Sequence, residues 1–239
     1  MNVHAPMSSV ERRIGALVDL ASPDATCDPV TSERAARELR EVATAAGDEV
    51  RATEAGVWIA IHLLRRGQLR ESIAEALGIR ERLGTPPAGS RLAAVRLELL
   101  RTIALAGSEA GEFDVALDAA QELAGDLSVH ADAAAAFDAA FALAVCFERM
   151  GNNWQALRIL AEVIEQHAAA APSFPTLYTL NAVAATALGA FHRLDGLDDA
   201  DELASLLTTA RDAAERALVL LDEFDSPVYR VAVEGNLAE

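Results

Sequence analysis

Residues 141–163 read FALAVCFERMGNNWQALRILAEV. The first ten are apolar at helical spacing, Gly151-Asn152-Asn153 is a turn signal, and the rest resumes a helical pattern. Small and large residues fall at fixed distances from the glycine. Leu143 and Ala144 lie eight and seven residues before it, Phe147 four before, and Ala156 and Leu157 five and six after. Small residues let two helices approach closely, and large ones fill the space around them. The stretch predicts a helical hairpin: Gly151 makes the turn, Ala144 and Ala156 permit close packing, and Phe147 fills the interface.

The same register recurs. Gly67, Gly111, Gly151 and Gly196 each close one apolar helix and precede another, at intervals of 44 (67 to 111), 40 (111 to 151) and 45 (151 to 196) residues. Seven and eight residues before them stand Ala60 and Ile59, Ala104 and Ile103, Ala144 and Leu143, and Gly189 and Leu188. Five and six after stand Ser72 and Ile73, Ala116 and Leu117, and Ala156 and Leu157; the fourth copy departs, with Asp201 and Glu202 there. Repetition at this period marks stacked helical hairpins, in which each unit buries its apolar face against the next.

The rest of the chain fits that frame. Helices are expected over about 9–21, from Thr31 or Ser32 to Ala46, over 48–66, 68–83, 90–107, 112–124, 130–150, 154–170, 173–194 and 198–224, with a fresh start at Ser226-Pro227. Residues 1–47 are expected to pack as N-terminal helices on an array occupying 48–239. That array would hold about four hairpins and a truncated fifth. Gly235-Asn236-Leu237-Ala238-Glu239 looks like the middle of a first helix whose partner is missing. The expectation is an N-terminal piece of a longer protein, because a repeat cut there leaves an apolar face bare.

Composition narrows the partners. Of the 239 residues 52% are hydrophobic but only 5% aromatic, with alanine dominant, which favours closely packed helices over sheets. All 20 basic residues are arginine, and richness in arginine and alanine points to a GC-rich bacterial genome. The net charge of −17 argues against a nucleic-acid partner, since phosphate binding needs clustered cations. Cys27 and Cys146 are far apart and nothing pairs them, which fits a reduced, cytoplasmic protein. No secretory core or membrane-length apolar run occurs, so membrane insertion is not expected.

The chain resembles the tetratricopeptide repeat family. The residues that carry the resemblance are the pairs at 59–60, 103–104, 143–144 and 188–189, Phe147, the turn glycines, and Ala116 and Ala156, from about Asp48 onward. The repeats are longer than the usual ~34 residues. The early tryptophan and closing proline of the family pattern are mostly missing. The resemblance implies an all-α, right-handed superhelix of antiparallel hairpins whose first helices line a concave groove. Groove-facing positions would be Val57, Ile61, Leu64 and Arg65; Arg101, Leu105 and Ser108; Phe141, Val145, Glu148 and Arg149; and Thr186, Ala190 and Arg193. The strip is apolar with arginines beside it. It suits an amphipathic helix or extended peptide, with Arg101, Arg149 and Arg193 pairing acids of the partner. The chain's own N-terminal helices or another subunit are the other candidates to cover it. The Asn/Lys carboxylate clamp of the family's chaperone-binding members is missing.

Catalytic signatures are mostly eliminated. Without lysine there is no Walker or Schiff-base lysine, and Gly107-Ser108-Glu109-Ala110-Gly111 misplaces the serine of a nucleophile elbow. His4, His62, His130, His167 and His192 are scattered. The acids Asp198, Asp199, Asp201 and Glu202 would need Gly and Glu at the sixth and twelfth positions of a calcium loop, where Leu203 and Thr209 stand. They read as the first turn of a helix, where the macrodipole favours acids. Trp58 and Trp154 are assigned packing roles, Trp154 across a hairpin mouth. No cofactor or metal is expected. Long degenerate repeats of this kind resemble the sensory regions that precede GGDEF diguanylate cyclase domains, which implies a non-catalytic module for protein contact or homodimerisation in a bacterial signalling protein. The helical-repeat region of a transcriptional regulator is an alternative, as is a small-molecule site near Trp58, Phe141 and Phe147.

Overall fold

The computed structural model describes residues 9–23, 25–127, 133–167, 173–194, 200–224 and 226–238. Among them there are eleven α-helices and no strand: α1 Ser9–Ala21, α2 Pro29–Ala45, α3 Glu49–Arg65, α4 Leu69–Leu83, α5 Arg91–Ala110, α6 Phe113–Leu127, α7 Ala133–Arg149, α8 Asn153–Gln166, α9 Phe174–Leu194, α10 Ala200–Phe224 and α11 Pro227–Ala238. None of the described helices is long and apolar enough to cross a membrane. The chain forms two compact units, residues 1–119 and 120–239, so α1 and α2 belong with α3–α5.

The turns explain the hairpins. At Gly47, Gly67, Gly111 and Gly151 the backbone takes φ of 73°, 71°, 77° and 82°. Each glycine begins the same pair of bonds. Gln68 N–H reaches Leu63 O at 2.9 Å and Gly67 N–H reaches Leu64 O at 2.9 Å; Asn152 N–H reaches Phe147 O at 2.8 Å and Gly151 N–H reaches Glu148 O at 2.9 Å. This is the Schellman motif, whose left-handed residue costs little only as glycine. Asp48 and Asn152 then cap the following helix, accepting from Arg51 N–H at 2.9 Å and Gln155 N–H at 3.2 Å. One glycine therefore ends a helix and the next residue but one begins another. Gly47, expected only to end α2, makes the same turn between α2 and α3. Gly196 lies outside the described residues.

The helices α5, α6 and α8 end at Ala110, Leu127 and Gln166, not at 107, 124 and 170, and the start of α2 also differs from expectation. α2 begins at Pro29, not at Thr31 or Ser32. The Asp28 carboxylate accepts from the N–H groups of Val30 and Thr31, both at 3.0 Å, and Pro29 occupies the first helical position. Asp-Pro here is a cap and a first turn, not a prolonged break.

Within unit 1, α3 packs against α2, α4 and α5, and α4 against α5. Leu17, Ala36, Leu39, Ile59 and Leu63 are buried together, each large side chain contributing about 1.5–3 kcal/mol. Glu33 of α2 accepts from Arg37 at 2.8 Å and from Arg66 at the end of α3. Burial pushes the Glu33 carboxyl up, but the bonds from Arg37 and Arg66 outweigh it and hold it below its ordinary value. At α3–α4 the expected small-residue contact forms, and at α5–α6 the small residue Ala116 lies against Gly107. Ser72 donates from Oγ to Ala60 O at 2.7 Å across the α3–α4 hairpin. At Gly107 an added Cβ would stand 3.0 Å from Ala116 Cβ and 3.2 Å from its backbone N.

Within unit 2, α7 packs on α8 and α9, α8 on α9, α9 on α10, and α11 on both α9 and α10. Ala144, Ala156, Leu160, Leu188 and Leu206 share the core, and Phe147 packs against it half-buried. Trp154 does not cross the hairpin mouth: it is 48% exposed. Its neighbour Asn153 takes the inward position, 5% exposed, with Nδ2 donating to Thr186 O at 3.4 Å.

Candidate functional site

Each unit has a pocket on the side of its odd-numbered helices. In unit 1, a cavity of about 340 Å³ lies between α3 and α5. α3 contributes Glu54, Trp58, Ile61, Leu64 and Arg65, and α5 contributes Glu98, Arg101, Thr102 and Leu105. These spacings are one helical stripe on each helix. Val57 is not on it. Lying one residue, about 100°, around the helix from Trp58, it is fully buried. The stripe steps from Ile61 back to Trp58 and Glu54 instead. Ser108, also expected in the groove, is buried and donates to Ala104 O at 2.7 Å.

Charges frame this pocket. Glu54 accepts from Arg51 at 3.2 Å and from Arg91 of α5 at 2.6 Å, closing one end. Arg65 donates from Nη1 to Pro23 O at 2.6 Å and so holds the loop after α1 at the rim. His62, 1% exposed, fixes the same segment through Nε2–H, which donates to Ala21 O at 2.8 Å. Its Nδ1 is buried without a hydrogen-bond partner among the described residues. Burial chiefly lowers the His62 pKa; the Ala21 bond opposes it in part, the nearby Arg65 charge adds to the lowering, and Glu33 acts upward. A histidine depressed in the folded state takes up its proton more readily when unfolded. The stability it confers is therefore complete above the ordinary value of about 6.5 and drains as pH falls below it. Thermal melts should show the melting temperature falling between pH 7 and pH 5, and His62→Gln, which retains a donor for Ala21, should remove most of that fall. An unchanged fall in His62→Gln would place the sensitivity elsewhere.

In unit 2, a cavity of about 220 Å³ lies among α7, α9 and α11. Phe141, Val145 and Glu148 come from α7, Tyr178, Asn181 and Thr186 from α9, and Tyr229 from α11. Phe141 and Tyr178 meet edge to face, centroids 5.0 Å apart at 65°. No family model matches the chain, and no curated protein sequence matches it. The site therefore rests on its own geometry.

Sequence reasoning placed Ile61, Leu64, Arg65, Arg101 and Leu105 together, and Phe141, Val145, Glu148 and Thr186 together. Ala190 is instead buried at 3% exposure. Arg149 is exposed and lines neither pocket. Arg193 is engaged at the Gly151 turn, donating to Gly151 O at 3.2 Å and Asn153 Oδ1 at 2.8 Å. Tyr178 and Tyr229 were missed. Only Tyr178 had a local signal, Phe174 and Tyr178 lying one turn apart in α9. A third opening lies between α8, α9 and α10, among Ile164, Glu165, Val183, Asp212 and Arg216. Asp201 is exposed, while Asp198, Asp199, His4 and His130 lie outside the described residues. Among the described residues no three His, Cys, Asp or Glu side chains converge for a metal.

Proposed function

We propose that this chain is a non-catalytic interaction module, in which tetratricopeptide-like hairpins stack with a right-handed turn within each unit and the first helices present pockets to a protein partner. The observation that carries this reading is the α3–α5 pocket, where Ile61, Leu64 and Leu105 stand with Arg65 and Arg101. Apolar anchors beside guanidinium groups are suited to an amphipathic polypeptide segment. The contact of α3 with α5, and of α7 with α9 and α9 with α11, supports the stacking. We place the module in the regulatory part of a cytoplasmic bacterial signalling protein of the diguanylate cyclase type, on the family resemblance alone.

Selection from a random peptide display library tests the reading. The wild-type chain should enrich one family of amphipathic sequences, and Leu105→Asp should weaken their binding at least about tenfold. No enriched family, or one indifferent to Leu105→Asp, would overturn it.

A further inference from the structure

We propose that the unit 2 pocket receives an arginine or lysine side chain of a basic partner polypeptide; this deepens, and rests on, the interaction reading above. Three observations carry it. First, the walls are aromatic. Phe141, Tyr178 and Tyr229 line the cavity, and their rings are held by a wider cluster in which Phe174 meets Tyr178 at 6.3 Å and Tyr229 at 5.2 Å, both edge to face. Ring faces attract cations. Second, the charge is negative. Glu148 lines the pocket half-buried, and its carboxylate is ion-paired to no described residue. Tyr178 donates its hydroxyl to the Asp138 carboxylate, which places further negative charge at the same aromatic wall. Third, the volume of about 220 Å³ is below the usual ~300–1,000 Å³ of small-molecule sites and suits one long side chain.

Alternative occupants fit less well. An anion would meet Glu148, and a neutral apolar group would desolvate that carboxylate without pairing it. A guanidinium or ammonium places its charge at Glu148, its stem along Val145 and Ala182, and its face on the rings. Asn181 and Thr186 are further polar wall residues within the same cavity. The net charge of −17 over the whole chain steers a basic partner toward it.

The test titrates the full chain with the peptide acetyl-Gly-Ser-Arg-Leu-Arg-Ser-Gly-amide and with its twin carrying citrulline, the neutral isostere, for both arginines. Binding is followed by amide chemical shifts. The arginine peptide should perturb Phe141, Glu148, Tyr178 and Tyr229 and bind at least about tenfold tighter than the citrulline peptide. Glu148→Gln should weaken the arginine peptide about five- to tenfold and leave the citrulline peptide unchanged. Glu165→Gln, which removes the same charge from another helix, should have no effect. Equal affinity for the two peptides, perturbations elsewhere, no binding at millimolar peptide, or equal effects of the two substitutions would each overturn the proposal. Loss of this binding with retained sensitivity to Leu105→Asp in the display experiment would remove the cation pocket and leave the interaction reading standing.

Discussion

Trp58→Ala is expected to destabilise unit 1 by about 3–5 kcal/mol, the cost of emptying a large aromatic site in a packed core. Trp58 is 7% exposed and is buried with Leu17, Ala21, Leu39 and Ile59, so α1, α2 and α3 would all lose contacts. For a chain of this length about 2–4 °C of melting temperature accompanies each kcal/mol, so a drop of about 6–20 °C should appear in a circular dichroism melt. Trp154→Ala provides the contrast. That indole is 48% exposed, and its loss should change stability by less than about 1 kcal/mol. Equal effects of the two substitutions would contradict the packing described for α3 and α8.

The two tryptophans show where sequence reading stops. Trp58 lies within α3 and Trp154 in the first turn of α8, and both look like buried area. Trp154 follows Asn153, however, and a rotation of one residue decides which of the two points inward. The structure turns Asn153 in, where its amide reaches Thr186 O. The same one-residue ambiguity misplaced Val57 relative to Trp58. Helical spacing defines a stripe, but its phase depends on the helices packed around it, and those are remote in sequence. Turn positions were legible for the opposite reason. A glycine at the left-handed position is a local steric requirement, so Gly67, Gly111 and Gly151 announced themselves. Gly47 makes the same turn but stands outside the repeated register, because Arg40 lies seven residues before it, where Gly67, Gly111 and Gly151 have alanine. A start at Thr31 or Ser32 is expected because Asp28 and Pro29 both disfavour helix interiors; at a helix start both are favourable. Of the two pockets, the aliphatic and arginine positions were visible from spacing. The aromatic wall was not, since Tyr229 reaches Phe174 from 55 residues away (229 − 174).

The second large effect concerns the close approach of helices. The expected register sets a small residue five positions after Gly67, Gly111 and Gly151, and at α5–α6 that residue is Ala116. Gly107 sits opposite. A Cβ there would meet Ala116 Cβ at 3.0 Å, its N at 3.2 Å and its Cα at 3.3 Å, and two of those three atoms are backbone, which cannot rotate away. Gly107→Val must therefore push α6 from α5. Overpacking of this kind costs about 1–3 kcal/mol and occasionally more, and the full width of a branched side chain against backbone argues for about 3 kcal/mol. Valine also gains a few tenths of a kcal/mol in helix propensity over glycine, which is too little to offset the clash. Gly78 of α4 is the matched control. Its added Cβ would meet only Arg82 Nη1 at 3.6 Å, the far end of a flexible side chain.

The melting temperatures of Gly107→Val and Gly78→Val, measured side by side with the wild-type chain, test the hairpin register most directly. The packing described here predicts a fall of about 6–12 °C for Gly107→Val and a change within about 2 °C for Gly78→Val. Equal melting temperatures for the two variants would contradict it.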